Sequence, residues 1–415
     1  MSTPVIPRLH VTTRALADPG TLFGFADRTN PLMWMRDGAG IVGSGVALRL
    51  STAGEDRITD LATQWQQIAE TARVEDEVGL PGTGLVAFGT IAFSAVSSAE
   101  SVLIVPRVIV GRSGEHAWIT RVSLEGEPAT DPDLLPARTP LGQSLTADLA
   151  EDPADAERHR DLVRTALARI QRGDVAKIVL ARTVTGRLPA DGDRRRLAAD
   201  LAAAYPQCWT YAVDGMIGAS PETLISVRDG SLSLRVLAGT AARGHGATED
   251  RAAAETLIES RKDRDEHAFA VRSALAALAP HAAGLHGQDS PFTLRLPNLW
   301  HLATDISGRI SDRASVLDLI QALHPTAAVG GTPTLAAIDL INELEPFDRG
   351  RYAGPTGWVD AHGNGDWAIA LRGAQVDADG HITAYAGGGI VAGSDPESEF
   401  RETGMKFRPI RDALS

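Results

Sequence analysis

The run ETLISVRDGSLSLRV, from Glu222 to Val236, decides the fold. In its second arm Leu232, Leu234 and Val236 alternate with Ser231, Ser233 and Arg235, the period of two that a strand with one buried face requires. Asp229-Gly230 separates the two arms, and an Asp-Gly pair readily supplies the positive-φ residues of a tight hairpin turn. The design recurs from Trp358 to Gly373 around Gly363-Asn364-Gly365, and from Ala374 to Ala386 around Asp379-Gly380. Hairpins join antiparallel neighbours, so the sheet is expected to be largely antiparallel.

Working outward, Asp155 to Arg172 carries Leu162, Ala166, Leu167 and Ile170 at helical spacing, and Val175 to Thr183 reads as a strand bearing Lys177. Helices are expected over Glu249 to Ala279 and Thr334 to Leu344. Another should begin at Asp395 as N-cap, with Pro396 at its first position. Towards the N-terminus, strand candidates (Gly40 to Leu50, Leu85 to Phe93, Val102 to Val110) flank a helical stretch at Asp60 to Ala72. Residues from Glu125 to Gln143 are rich in Pro, Asp and Gly without periodicity, which marks a connection. A boundary is expected near 145, between an N-terminal α+β part (1–145) and a catalytic part (146–415) that together make one intertwined unit.

The chain of 415 residues, 43% hydrophobic and 22% charged, is ordinary globular material. Its net charge of −13, with basic and acidic residues interspersed, argues against nucleic acid or an anionic membrane as partner and for a small ligand. The single cysteine, Cys208, excludes an intrachain disulfide and multi-cysteine metal sites. Its aromatic neighbours Trp209 and Tyr211 mark it as buried filler rather than a nucleophile. Met1 to Ala15 lacks the apolar run of a leader, and no segment approaches the ~20 apolar residues that span a bilayer. A cytoplasmic protein is expected.

Two acidic clusters stand out. Asp263 and Glu266 share one helix face, as do Glu399 and Glu402, because residues three apart project the same way. Facing each other, the two pairs would offer all-oxygen ligation to a hard divalent cation. Acid-rich helices also serve as solvated faces, and Arg261, Lys262, Arg264 and Arg401 stand ready to balance them. Glu399, Glu402 and Lys406 form one stripe of the last helix, while Phe400, Phe407 and Leu414 form another that should face the core. In the other helix Phe269, Leu275 and Leu278 supply the apolar contacts. Gly82-Thr83-Gly84 followed by Gly89 lacks the third glycine of a dinucleotide loop, and no Gly-x4-Gly-Lys-Ser/Thr element occurs.

The catalytic part carries, in order, Lys177-Ile178-Val179-Leu180-Ala181-Arg182, Ala219-Ser220-Pro221-Glu222, Leu237-Ala238-Gly239-Thr240-Ala241, Lys262-Asp263-Arg264-Asp265-Glu266-His267, Trp300-His301-Leu302, and His324-Pro325-Thr326-Ala327-Ala328-Val329-Gly330-Gly331. Glu345-Pro346-Phe347-Asp348-Arg349-Gly350, Tyr352-Ala353-Gly354, Ala370-Leu371-Arg372, Gly387-Gly388-Gly389-Ile390 and Ser394 to Thr403 follow. This succession resembles the chorismate-utilising enzymes, which include anthranilate, aminodeoxychorismate, salicylate and isochorismate synthases. The resemblance is strong from about 150 onward and weak before it. It implies an α+β fold of two facing, largely antiparallel sheets with helices packed outside, as in anthranilate synthase component I, and an active site in the cleft between them. It also implies a monomer.

The branch most resembled is isochorismate synthase. That implies a Mg2+-dependent conversion of chorismate to isochorismate, in which water adds at ring C2, the C4 hydroxyl leaves and the double bonds shift. Such chemistry needs a base on one ring face and an acid on the other. Lys177 matches the base that activates water, and Glu222 the acid that protonates the departing hydroxyl. An ordinary lysine titrates near ~10.4, so the site must lower it, whereas the acid must hold its proton near neutrality. Glu266 and Glu402 match the principal Mg2+-side carboxylates, with Asp263 and Glu399 in support. Arg372 and Tyr352 match the residues that hold the enolpyruvyl carboxylate, Gly387 and Gly389 bring backbone N–H groups near it, and Gly239, Thr240, His301 and Ala328 line the pocket.

Two alanines separate the possible reactions. Ala238 stands where many aminodeoxychorismate synthases carry an attacking lysine. Ala328 matches a position that is threonine in ammonia-using and salicylate-forming relatives and alanine in isochorismate synthases. The alternatives are a salicylate synthase, which eliminates pyruvate from isochorismate in the same pocket, an ammonia-using synthase, and a silent chorismate-binding regulator. The destination of the product, menaquinone or a siderophore, is set by neighbouring enzymes.

Overall fold

The computed structural model describes residues 7–128, 131, 134–151, 153–297 and 299–415. Of the Glu125 to Gln143 connection, 129, 130, 132 and 133 lie outside the described residues, as do 1–6 of the N-terminal stretch.

The Glu222 to Val236 hairpin forms as read. Strands Thr223–Arg228 and Ser231–Ala242 pair antiparallel, and Asp229 (φ 50°) and Gly230 (φ 75°) make the turn between them. The two later hairpins follow suit, Pro355–Asp360 with Gly365–Ile369 and Gly373–Val376 with His381–Val391. Asn364 Oδ1 accepts from the Asp229 N–H at 2.8 Å, so one turn ties to the next.

Two sheets result. The larger runs Gly331–Thr332, Lys177–Arg187, His381–Val391, Gly373–Val376, Met216–Ser220, Trp209–Val213, Leu32–Arg36, Ala39–Ser44, Val108–Ser113, His116–Leu124, Leu9–Leu16, Arg73–Asp76. The smaller runs Ala282–Gly287, Leu299–Ile310, Ser231–Ala242, Thr223–Arg228, Gly365–Ile369, Pro355–Asp360, Val86–Thr90, Ser101–Val105, Leu48–Thr52, with Phe292–Arg295 added beside Leu299–Ile310. Among the described residues only Leu9–Leu16 with Arg73–Asp76 is parallel. This is the expected α+β architecture of antiparallel sheets with helices outside. Each sheet takes strands from both sides of residue 145.

The strand Leu32–Arg36 shows how the larger sheet is buried on both faces. Leu32 and Trp34 enter one apolar cluster with Ile41, Phe88, Trp358 and Trp367, drawn from both sheets. Met33 and Met35 enter a second with Leu197, Leu201, Phe407 and Ile410, under the helices Arg195–Ala204 and Pro396–Ala413. Each such side chain, fully withdrawn from water, contributes about 1.5–3 kcal/mol.

Five expectations need correction. The strand candidates Gly40 to Leu50 and Val102 to Val110 are each two strands, Ala39–Ser44 with Leu48–Thr52 and Ser101–Val105 with Val108–Ser113, because the chain crosses from one sheet to the other within each. The Glu249 to Ala279 helix is two helices, Ala247–Glu259 and Arg261–Leu278, because Ser260 leaves helical geometry and caps the second by accepting from the Asp263 N–H. Phe269 is not an apolar contact of that helix: it is 42% exposed. Phe400 is only half-buried, sandwiched between the guanidinium groups of Arg160 and Arg182, whereas Phe407 and Leu414 do face the core.

Candidate active site

A cavity of about 360 Å3 lies where the strands Lys177–Arg187 and His381–Val391 of the larger sheet meet Ser231–Ala242 and Leu299–Ile310 of the smaller, closed by the helices Arg261–Leu278 and Pro396–Ala413. All fourteen residues singled out from the sequence line it: Lys177, Glu222, Gly239, Thr240, Asp263, Glu266, His301, Ala328, Tyr352, Arg372, Gly387, Gly389, Glu399 and Glu402.

Strand alternation sets Lys177. Lys177 and Val179 face the cavity while Ile178 and Leu180 are wholly buried on the other side. Lys177 Nζ donates to Glu266 Oε1 at 2.6 Å, so the amine is engaged with an acid. Glu222 lies at the bend where the chain leaves the larger sheet at Ser220 and enters the smaller at Thr223. Ser220 Oγ accepts from the Glu222 N–H at 3.3 Å and donates to Ile369 O at 2.6 Å, which fixes the bend. Burial pushes the Glu222 carboxyl up to about 8, against the pull of Lys177, Arg372 and Lys406. A carboxyl of this kind is protonated at neutral pH and can act as an acid.

The acids reach the cavity from two helices. On Arg261–Leu278, Asp263 and Glu266 face inward while Arg261 and Asp265 pair in solvent, so both readings of the cluster hold, on different faces. On Pro396–Ala413, the Asp395 side chain accepts from the Ser398 N–H and caps the helix as read. Burial pushes the Glu402 carboxyl up, but the Lys406 ammonium at 2.6 Å, with Arg372 and Lys262, outweighs it and leaves the group below its ordinary value. Glu399 is pushed up by burial and by the charge of Glu402. The Asp263 carboxylate is engaged by Ser260 Oγ. Among the described residues no three carboxylate or imidazole groups converge into a closed cation site. The donor set nonetheless fits Mg2+: it is all carboxylate oxygen, it crowds charge around Glu399, and Mg2+ retains waters and substrate oxygens in place of a full protein cage.

Cations line the cavity too. Arg372 adopts φ 52° and Ala353, beside Tyr352, φ 62°, conformations that cost about 1–3 kcal/mol and that cluster at functional sites. Arg372 is buried, and burial pulls its guanidinium down from its ordinary value. Its Nη2 donates to His301 Nε2 at 3.3 Å, so the His301 Nδ1–H donates to Thr240 Oγ1 at 3.0 Å. Burial, then Arg372 and Lys406, hold the imidazole down to about 3, so it is neutral. Burial raises the Tyr352 hydroxyl to about 12. Gly387 and Gly389 leave space where their neighbours crowd. A Cβ on Gly389 would sit 3.0 Å from Lys177 Cε, and one on Gly387 3.1 Å from the Tyr352 hydroxyl, so both make room for a neighbouring side chain. They lie inside the strand His381–Val391.

Several residues of the site were not singled out. Lys406, which also donates to Gly387 O at 2.9 Å, stands on the stripe already read for Glu399 and Glu402. Tyr385 lines the cavity and stacks on Tyr352 with ring centroids 5.0 Å apart, a contact no spacing rule reveals. Beneath the floor, the Glu345–Arg349 pair is buried: Glu345 accepts from the Ala181 N–H at 2.7 Å while Arg349 donates to Val179 O at 2.7 Å and Val329 O at 3.0 Å. The pair takes the place of a neighbouring strand along the edge of Lys177–Arg187, where Gly331–Thr332 stops short. Cys208 is buried, its thiol pushed up to about 12 by that burial, as befits filler. His267 is a satisfied core histidine, bonded to Ala238 O and Thr304 Oγ1. Among the described residues no helix is long and apolar enough to cross a membrane.

The family described as chorismate binding enzyme matches residues 17–415. A salicylate biosynthesis isochorismate synthase of Pseudomonas aeruginosa is 34% identical, over 96% of this chain and 88% of its own length. The isochorismate synthase DhbC of Bacillus subtilis is 37% identical, over 63% of this chain and 68% of its own. The structure of MenF, the menaquinone-specific isochorismate synthase from Escherichia coli, superposes with a TM-score of 0.79, covering 100% of this chain and 96% of MenF; at 24% identity this is a likeness of fold.

Proposed function

Because this chain belongs to the family of chorismate-binding enzymes, we propose that it is an isochorismate synthase, converting chorismate to isochorismate by adding water at C2 as the C4 hydroxyl departs. The observation that carries the reading is that Lys177 and Glu222 open onto one cavity, with the Glu222 carboxyl pushed up to about 8. Glu222 gives its proton to the departing C4 oxygen. Lys177 takes a proton from the attacking water; in the resting enzyme its Nζ donates to Glu266. Arg372 and Tyr352 hold the enolpyruvyl carboxylate, a planar anion matched to a guanidinium fork. His301, itself held by Thr240, fixes the Arg372 guanidinium. Mg2+, held by Glu266 and Glu402 with Asp263 and Glu399 in support, would supply charge neutralisation at the ring carboxylate and draw electrons from the ring. Ala238 offers no amine for covalent attack, and Ala328 no hydroxyl beside the incoming nucleophile.

The name of the P. aeruginosa relative attaches its isochorismate synthesis to salicylate biosynthesis, so onward conversion to salicylate in the same pocket is the second reading. One assay separates them. Purified protein with chorismate and Mg2+ should form isochorismate reversibly, without ammonium, and EDTA should stop it. Salicylate with pyruvate, or an aminated product only when ammonium is present, would overturn the reading. We also read the enzyme as a cytoplasmic monomer, which cell fractionation and light scattering check.

A further inference from the structure

Beside Glu222 lies a second cavity, about 270 Å3, lined in part by the later turns of the helix Arg261–Leu278 at Ala270 and Ala274. Glu222 and Ala328 line both cavities, and no other described residue does. From there the second cavity runs past Ala274, His324 and Thr326 to Leu335, which is 81% exposed, so it reaches the surface. His324 Nε2–H donates to Phe93 O at 3.0 Å, which leaves Nδ1 an acceptor; that nitrogen and Thr326 Oγ1 are buried without a partner among the described residues. Buried polar atoms are seldom left so, and a space of this size takes several waters at about 30 Å3 each.

We propose that this second cavity is a water chamber that returns a proton to Glu222 from bulk solvent and takes up the water released at C4. The proposal rests on the isochorismate synthase reading. In each turnover the Glu222 proton passes to the C4 oxygen, the C4–O bond breaks and water forms; another water bonds to C2 and loses a proton to Lys177. Water in equals water out, but Glu222 ends one proton short and Lys177 one proton ahead. Acid and base act on opposite ring faces, so the substrate ring itself stands between them. The chamber reaches Glu222 from the side the substrate does not occupy, and Ala328, which carries no more than a methyl group, keeps the junction open.

The test compares Ala274→Leu, which fills the chamber, with Thr326→Val, which keeps its volume and removes a hydroxyl. Ala274→Leu should lower kcat for isochorismate formation about tenfold with the KM for chorismate unchanged, and enlarge the solvent deuterium isotope effect on kcat, because proton return becomes slow. Thr326→Val should shift both in the same direction by less. A folded Ala274→Leu enzyme with wild-type kcat and isotope effect overturns the proposal; should that variant not fold, wild-type values in Thr326→Val overturn it. A wild-type protein that forms no isochorismate refutes the reaction instead, before either variant is compared.

Discussion

Glu222 occupies a bend between two sheets, and burial there, against three nearby cations, raises its carboxyl to about 8. The working form is the protonated one. It is fully populated below that value and lost above it, so kcat/KM should hold steady at neutral pH and fall ~tenfold per pH unit on the alkaline side of the Glu222 titration. Glu222→Gln should lower kcat by about 10²–10⁴ with little change in KM, and any remaining activity should lose the alkaline fall. Lys177→Ala should abolish chorismate consumption while urea denaturation still reports a cooperative fold; retained turnover would reassign the base. Gly389→Ala tests the room made for that amine: its Cβ would meet Lys177 Cε at 3.0 Å, so kcat should fall more than stability does. The principal residues were legible through the ordered motifs they sit in. Arg349 and Glu345 were quoted within such a motif without a role, since nothing in two charged residues four apart on a loop tells that both are buried.

Among the elements, hairpins and caps were the most legible, because each is written in two or three adjacent residues. Asp229-Gly230 and Asp395-Pro396 set their turn and cap as read. The break at Ser260 was also written, as Ser260 with Asp263 three residues on, but the apolar spacing on either side masked it. The break matters for the site: it makes Asp263 part of a cap, bonded to Ser260, while Glu266, one turn on, is bonded to Lys177. Asp395→Ala should cost about 1 kcal/mol in urea denaturation, and, by loosening the helix that bears Glu399 and Glu402, should raise the Mg2+ concentration needed for half-maximal rate. Arg349→Met leaves the Glu345 carboxylate buried without its partner and should destabilise by about 3–5 kcal/mol. A stability within 1 kcal/mol of wild type would show that the pair does not hold the edge of the catalytic strand.

At the scale of the whole molecule, the pattern that reads as a boundary near 145 does not say which strands cross it. Strand pairings such as those that set Tyr211 opposite Trp34, or Trp358 opposite Phe88, join strands far apart along the chain, and no local pattern encodes them. The motif-rich part therefore lacks strands of its own sheets, and a fragment of residues 146–415 should not fold cooperatively alone. The catalytic cleft is a product of the same interleaving, since its two walls belong to different sheets and its acid sits where the chain passes between them. The central claim, that an amine and a protonated carboxyl on opposite sides of a ring direct water onto C2, is tested most directly by turnover of chorismate in water enriched in oxygen-18. Initial isochorismate should carry one heavy oxygen, at the C2 hydroxyl; isochorismate that retains only the original oxygen, moved from C4, would contradict the account.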